Sequence, residues 1–243
     1  MRMETLKVPT RRNLYGQVLD DLGCRIMAGK VTPGDSLPQE STLCDQLGVS
    51  RTVVREAIKS LAAKGLVESR AKRGTVVRPP GSWNYLDSDV LSWQATADVD
   101  GRHLFHLMEL RRTVEPAAAR IAAERATDEK LRLITQAYEA MVLTADHIDN
   151  FLAADIHFHV EILHATENPF FSPIANAIST SLESSLRLTN RQPDQNRTSL
   201  PAHQKVMNAI CTGKPARAET TMRSLLSEAA DRIDIALSKS KGR

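Results

Sequence analysis

The run LGVSRTVVREAIKSLAAKGLVE, residues 47–68, with SRAKRGTVV, residues 69–77, directly behind it, decides how the chain reads. Ser50 suits a helix N-cap, its hydroxyl accepting from a free backbone N–H two or three residues on. Val53, Val54, Ala57, Ile58 and Leu61 then recur at helical spacing. Arg51, Thr52 and Arg55 fall on the other side of the first turn and a half. Gly65 stops the helix, Leu66 to Ser69 alternates like a short strand, and Thr75 to Val77 returns as a second one. Arg70, Lys72 and Arg73 crowd the hairpin tip before Gly74. Upstream, SLPQESTLCDQLGVS, residues 36–50, places Pro38 at a helix start, Leu43 and Leu47 on an amphipathic face and Gly48 at a turn. The order is helix, tight turn, helix, β wing. A helix entering a major groove by its N-terminus would bring Arg51, Thr52 and Arg55 to phosphates and base edges, and a charged tip suits phosphate contact.

From about Asn13 to Val77 this series closely resembles the winged helix-turn-helix of GntR-type transcription regulators. The resemblance implies that Arg51 and Arg55 approach operator bases, that Thr52 holds a phosphate, and that the wing around Arg73 and Gly74, with Arg70 beside it, reaches the minor groove. One departure is visible. Many relatives carry Arg where Ser41 stands, so a contact from that helix is not carried over.

A chain of 243 residues with 42% apolar content can bury a sizeable core, and the winged module takes about a third of it, so a second domain is expected. Aromatic residues are only 4%, and beyond residue 80 the tracts are rich in Ala, Leu, Glu and Arg, which predicts a nearly all-helical second domain. The fold class is therefore mainly α. We divide the chain into a DNA-binding domain at 1–78, a linker and first helix at 79–100, and a helical effector domain at 101–243. Residues 1–80 hold 14 Lys and Arg against 8 Asp and Glu, net +6; residues 81–243 hold 18 against 21, net −3. Only the front part suits a polyanion. No stretch of eighteen apolar residues occurs and the N-terminus lacks the apolar core of a signal peptide, which predicts a cytoplasmic protein without membrane contact. Cys24, Cys44 and Cys211 are odd in number and far apart, as expected of reduced thiols.

In the joint VVRPPGSWNYLDSDVLSW, residues 76–93, two prolines and a glycine end the wing, and Trp83, Tyr85 and Trp93 are expected to pack against one or both domains. Beyond it we read six or seven antiparallel helices. A long one follows Gly101 and is bent at Pro116. The next is capped by Thr127 or Asp128, and a third opens at Asp149 or Asn150. A fourth runs from Pro169 to about Asn190, a fifth from about Pro201 to Cys211, and a last from Pro215 to Leu237.

Asp155 and His159, four apart, share one helix face within reach of a single ion, and His203 is the natural partner from another helix. His157 and His164 lie off that line and read as surface or packing residues. Arg111, one turn before Glu115 and Pro116, either points into the cavity to pair with a ligand carboxylate or forms a surface salt bridge with Glu115 or Glu109. The runs ADIHFHVEILHATENPF and PAHQKVMNAICTGKPARAETTM resemble the ligand-binding domain of the FadR branch of GntR regulators. There an Asp, the His four residues on and two later His commonly bind a divalent metal. The first three carry over onto Asp155, His159 and His203; the fourth would fall at Leu225, which cannot ligate, with Glu228 a weak replacement.

The resemblance thus implies a zinc or nickel ion with open positions. WNYLDSDVLSW and LRRTVEPAAARIAAERAT resemble the sugar-acid-sensing members of the branch more than the fatty-acid-sensing ones, which implies an aldonate such as galactonate, its carboxylate on Arg111, with Asn190 and Ser199 at the pocket rim. The reading is a homodimeric repressor on a palindromic operator, released by a small carboxylate effector. A metal-responsive regulator and a metal-dependent hydrolase or lyase built on the same Asp/His cluster are the alternatives.

Overall fold

Ten α-helices and one two-stranded hairpin are formed by residues 11–98, 101–189 and 193–241, which the computed structural model describes. The chain divides into two units, Met1–Ala97 and Asp98–Arg243. The first holds α1 (Arg11–Met27), α2 (Glu40–Leu47), α3 (Arg51–Ala63), the hairpin β1 (Val67–Arg70) and β2 (Gly74–Val77), a 3₁₀ turn at Pro80–Ser82, and α4 (Ser88–Ala97). Ser50 caps α3, its hydroxyl accepting from the Val53 N–H, and α2 starts at Glu40, two residues past Pro38. On α3 the face Val53, Val54, Ala57 and Leu61 is buried against Leu22 of α1 and Leu43 of α2 within one core. Each large side chain so buried contributes about 1.5–3 kcal/mol. Strands β1 and β2 pair antiparallel from Val67 opposite Val77 to Arg70 opposite Gly74.

The segment after the wing packs onto this module. Trp93 is buried, donates its indole N–H to Asp20 on α1, and lies so close over Gly23 that a Cβ there would fall 2.4 Å from the ring. Trp83 donates to the Arg78 carbonyl at 3.0 Å. At the foot of α3, Lys64 holds Asp87 at 2.8 Å and Asp89 at 2.7 Å, and the Asn84 N–H donates to the Lys64 carbonyl. Gly65 adopts φ +79°, and a Cβ there would meet the Ser82 carbonyl oxygen at 2.1 Å, so only glycine lets the segment approach.

In the second unit α5 (Arg102–Arg125) is lined by the antiparallel α10 (Pro215–Lys241), and α6 (Asp128–Leu143), α7 (Ile148–His164), α8 (Phe171–Thr189) and α9 (Pro193–Cys211) complete the bundle. Phe151, Phe158, Ile162, Leu163, Ile134, Met141 and Ile178 are among its fully buried large side chains. Thr127 caps α6, and α5 continues through Pro116. The expected fifth helix is corrected at its start. It begins at Pro193, not Pro201, because Pro193 takes the first helical position with Asp194 in the first turn, while Pro201 is carried inside at the cost of one backbone bond. Tertiary ties secure the added turns: Asn196 donates to the Ala145 carbonyl and Arg197 pairs with Asp146, both beyond the end of α6. No helix among the described residues is long and apolar enough to cross a membrane.

Candidate nucleic-acid interface and buried metal centre

Arg51, Thr52 and Arg55 stand exposed on the first turns of α3, as a groove-entering helix requires. Arg55 is oriented by α2, its Nε donating to Glu40 at 2.7 Å. On the hairpin Arg70 pairs with Glu68 at 2.6 Å, and Arg73 donates to the Gly34 carbonyl at 2.8 Å. Lys72 and Gly74 take φ values of 62° and 75°, turning the tip. Exposed pairs of this kind are screened by solvent and contribute little, so they yield readily to a phosphate.

In the second unit a buried polar cluster joins three helices, α5, α7 and α9. Arg111 and Glu115 on α5 form an ion pair at 2.7 Å, with side chains 2% and 0% exposed, so the pair is neither a surface bridge nor a free guanidinium. Glu115 uses its other oxygen to accept from His159 Nδ1 on α7. His203 Nδ1 on α9 donates to the Ser199 carbonyl at 2.9 Å. A carboxylate and a carbonyl only accept, so both imidazoles carry their proton on Nδ1 and turn Nε2 inward. Asp155 Oδ1 lies 2.8 Å from His203 Nε2 and 3.9 Å from His159 Nε2.

At 2.8 Å an ion pair would be expected to be a hydrogen bond as well, yet neither Asp155 Oδ1 nor His203 Nε2 has a hydrogen-bond partner. The two atoms meet in a buried space without the geometry of a regular hydrogen bond. Only a cation, or an additional proton on an imidazole, relieves that arrangement. The donor set fits a divalent ion, since the three ligand atoms lie within 4.8 Å of one another and the Nδ1 acceptors orient the rings as supports of metal-bound histidines do. Burial pushes both carboxyls up, but Arg111 and His159 outweigh it and hold Glu115 down to about 2, and His203, His159 and Arg111 hold Asp155 below the usual carboxylate range.

The sequence pattern of bacterial regulatory proteins of the gntR family matches residues 14–77, and that of the FCD domain matches residues 106–228. The chain is 40% identical, over 69% of its length and 73% of the relative's, to the galactonate operon transcriptional repressor of Escherichia coli K12. This chain belongs to the GntR family. It is a transcription regulator with a DNA-binding winged unit and an FCD domain, which sets aside the hydrolase or lyase alternative. Among solved structures, the GntR regulator resembles a Streptococcus agalactiae GntR protein at 26% identity and a TM-score of 0.51, over 90% of this chain and 99% of that one. A Listeria monocytogenes protein, Lar, matches at a TM-score of 0.63 over 96% and 98% of the two chains, and at 20% identity it shows the fold alone.

Of the residues singled out in this GntR regulator, Asp155, His159 and His203 come together directly, Arg111 joins them through Glu115, and Ser199 joins through its carbonyl. Asn190 lies outside the described residues. Leu225 is buried in the core and Glu228 is exposed. His157 and His164 flank Glu161, at 3.5 and 3.6 Å, away from the centre. Two groups were missed. Glu115 appears in the sequence only as a salt-bridge candidate, although a lone carboxylate in the alanine-rich run VEPAAA was a signal. Asn196, fully buried, gave none beyond its spacing to Ser199 and His203.

Proposed function

We propose that this regulator is a homodimeric repressor that leaves a palindromic operator when a sugar acid, an aldonate such as galactonate, enters the FCD domain beside Arg111 and the Asp155, His159 and His203 cluster. The observation that carries this reading is the unpaired set of inward-facing acceptors, Asp155 Oδ1 and His203 Nε2, next to a buried guanidinium. Its charges do not balance alone: Arg111 offsets Glu115 and leaves Asp155 uncompensated. A zinc or nickel ion held by Asp155, His159 and His203 would supply two positive charges and open positions for oxygen ligands, leaving the site one charge in excess, which a single carboxylate neutralises. Arg111 contributes orientation, its Nε held by Glu115 and its Nη1 set against Met108 Sδ at 3.7 Å, a weak contact that a carboxylate can displace. A set of only three ligands, Asp155, His159 and His203, supports ligand sensing over metal sensing, because a position is left for the effector. The likeness to the galactonate operon repressor favours the same class.

Release then follows from differential affinity of the effector for two arrangements of the dimer, a difference that must reach a few kcal/mol. The test is fluorescence anisotropy of a duplex from the regulator's own promoter. Galactonate is expected to release wild-type protein, and Arg111→Lys, which keeps the charge and loses the fork, is expected to need at least about tenfold more. Failure of every aldonate to release metal-loaded protein would overturn the reading.

On the DNA side, Arg55→Ala is expected to weaken the cognate duplex by about 1–3 kcal/mol and random duplex little, whereas Arg73→Ala lowers both and reduces the salt slope by about one. Equal losses on both duplexes for both variants would mean that α3 does not read bases.

A further inference from the structure

The α5 and α10 pair carries an apolar surface that the main core of the bundle does not use. Leu104, Met108 and Ile233 form a small buried cluster of their own, with Ala229 and Ala230 packed against it. Over that floor Phe105 is 57% exposed and Ile235 56%. Single exposed apolar side chains are ordinary, but two large ones beside an apolar floor make a patch. Between the helices lies a groove of about 140 Å³, lined by Phe105, Met108, Ala230 and Ile233 with Glu109, Arg112 and Asp234. A cavity of roughly 150 Å³ accepts one benzene ring. The end of α10 does not close the groove. Ile233 packs beside Leu104 near the start of α5, and α10 continues as helix to Lys241, past that start.

We infer that this face joins two copies of the chain about a dyad, each Phe105 ring entering the other's groove. The inference rests on the homodimer of the proposed function and gives it an interface. Three features select a second copy as the occupant. A twofold contact presents the same patch from both sides and must complement itself, and this patch carries both a projecting ring and a space of that ring's size. The charges match as well. Glu109 and Arg112 lie one turn apart on α5, both exposed, and neither forms an ion pair with a described residue. Two α5 helices running antiparallel about the dyad set Glu109 of each copy against the partner's Arg112. The area also suffices. With 24 residues α5 is roughly 36 Å long, and a face two helices wide, about 20 Å, covers about 700 Å², close to the ~800 Å² that each partner gives a standard stable interface.

Sedimentation velocity of the full-length protein over a dilution series tests this. Wild type is expected to sediment as a dimer at micromolar concentration. Phe105→Glu is expected to raise the dimer dissociation constant at least about thirtyfold, because an aromatic anchor is replaced by a charge. Glu109→Arg and Arg112→Glu each set like charges face to face and are expected to raise it at least about tenfold, while the double variant, which exchanges the charges, returns it to within about threefold of wild type. Circular dichroism spectra of the variants accompany the series. A folded Phe105→Glu protein that stays as dimeric as wild type overturns the inference alone, and so does a double variant no tighter than the single ones. If Phe105→Glu fails to fold, the charge exchange decides by itself. Wild type that stays monomeric throughout the series overturns the homodimer of the proposed function and this face with it.

Discussion

Glu115→Ala is expected to cost the second unit about 3–5 kcal/mol, the range seen when one partner of a buried ion pair is removed. The loss is this large because one carboxylate serves two groups, accepting from Arg111 Nε and from His159 Nδ1, with both partners buried. Truncation leaves a guanidinium without a counter-charge and an imidazole N–H without an acceptor. At about 2–4 °C per kcal/mol for a unit of this size, the melting transition should fall by roughly 10 °C. Removing the whole pair, as Arg111→Met with Glu115→Leu, should recover part of the loss, because the desolvation of both charges disappears while His159 still lacks its acceptor. A drop below about 1 kcal/mol for the single variant would mean that the pair is not buried in solution.

Acid should act in the same direction. Glu115 is held down to about 2, so its contribution is complete above the ordinary glutamate range and is lost as pH falls from about 4.5 towards 2. Wild type should therefore lose stability across that window faster than Glu115→Ala, in denaturation series compared between pH 5 and 2.5.

Asp155→Ala should reduce bound divalent metal from about one ion per chain to less than a tenth of that, measured by elemental analysis after dialysis. With Asp155 gone, the two imidazoles left of the three-residue cluster cannot hold the ion against buffer. In metal-free protein His203, His159 and Arg111 hold the Asp155 carboxyl low, so the substitution should also destabilise the metal-free state. Unchanged metal content in Asp155→Ala would remove the ion from the account.

What could be read from residues alone followed the range of the forces. The Ser50 cap, the Val53, Val54, Ala57 and Leu61 face and the charged hairpin tip are set by neighbours a few positions away, and they are found where local rules put them. Asp155 and His159 share a helix, so their pairing was visible too. Glu115 was not legible as the support of His159, because that contact spans 44 residues and exists only once α5 and α7 pack. The start of α9 was missed because two prolines, 193 and 201, each satisfy the rule for a first helical turn, and only the ties of Asn196 and Arg197 to Ala145 and Asp146 choose between them. The stretch 79–97 reads as a breaker-rich joint, yet Gly23 and Gly65 supply the room in which Trp93 and the Ser82 backbone seat.

That seating has a mechanical meaning. The chain leaves the first unit at Ala97 from a helix bolted to α1 by Trp93, and the segment feeding that helix is clamped to the foot of α3 by Lys64, Asp87, Asp89 and the Asn84 amide. A torque applied to the backbone at Asp98 thus finds no slack before the helix that carries Arg51 and Arg55, and a displacement of an ångström need not be amplified to be felt there.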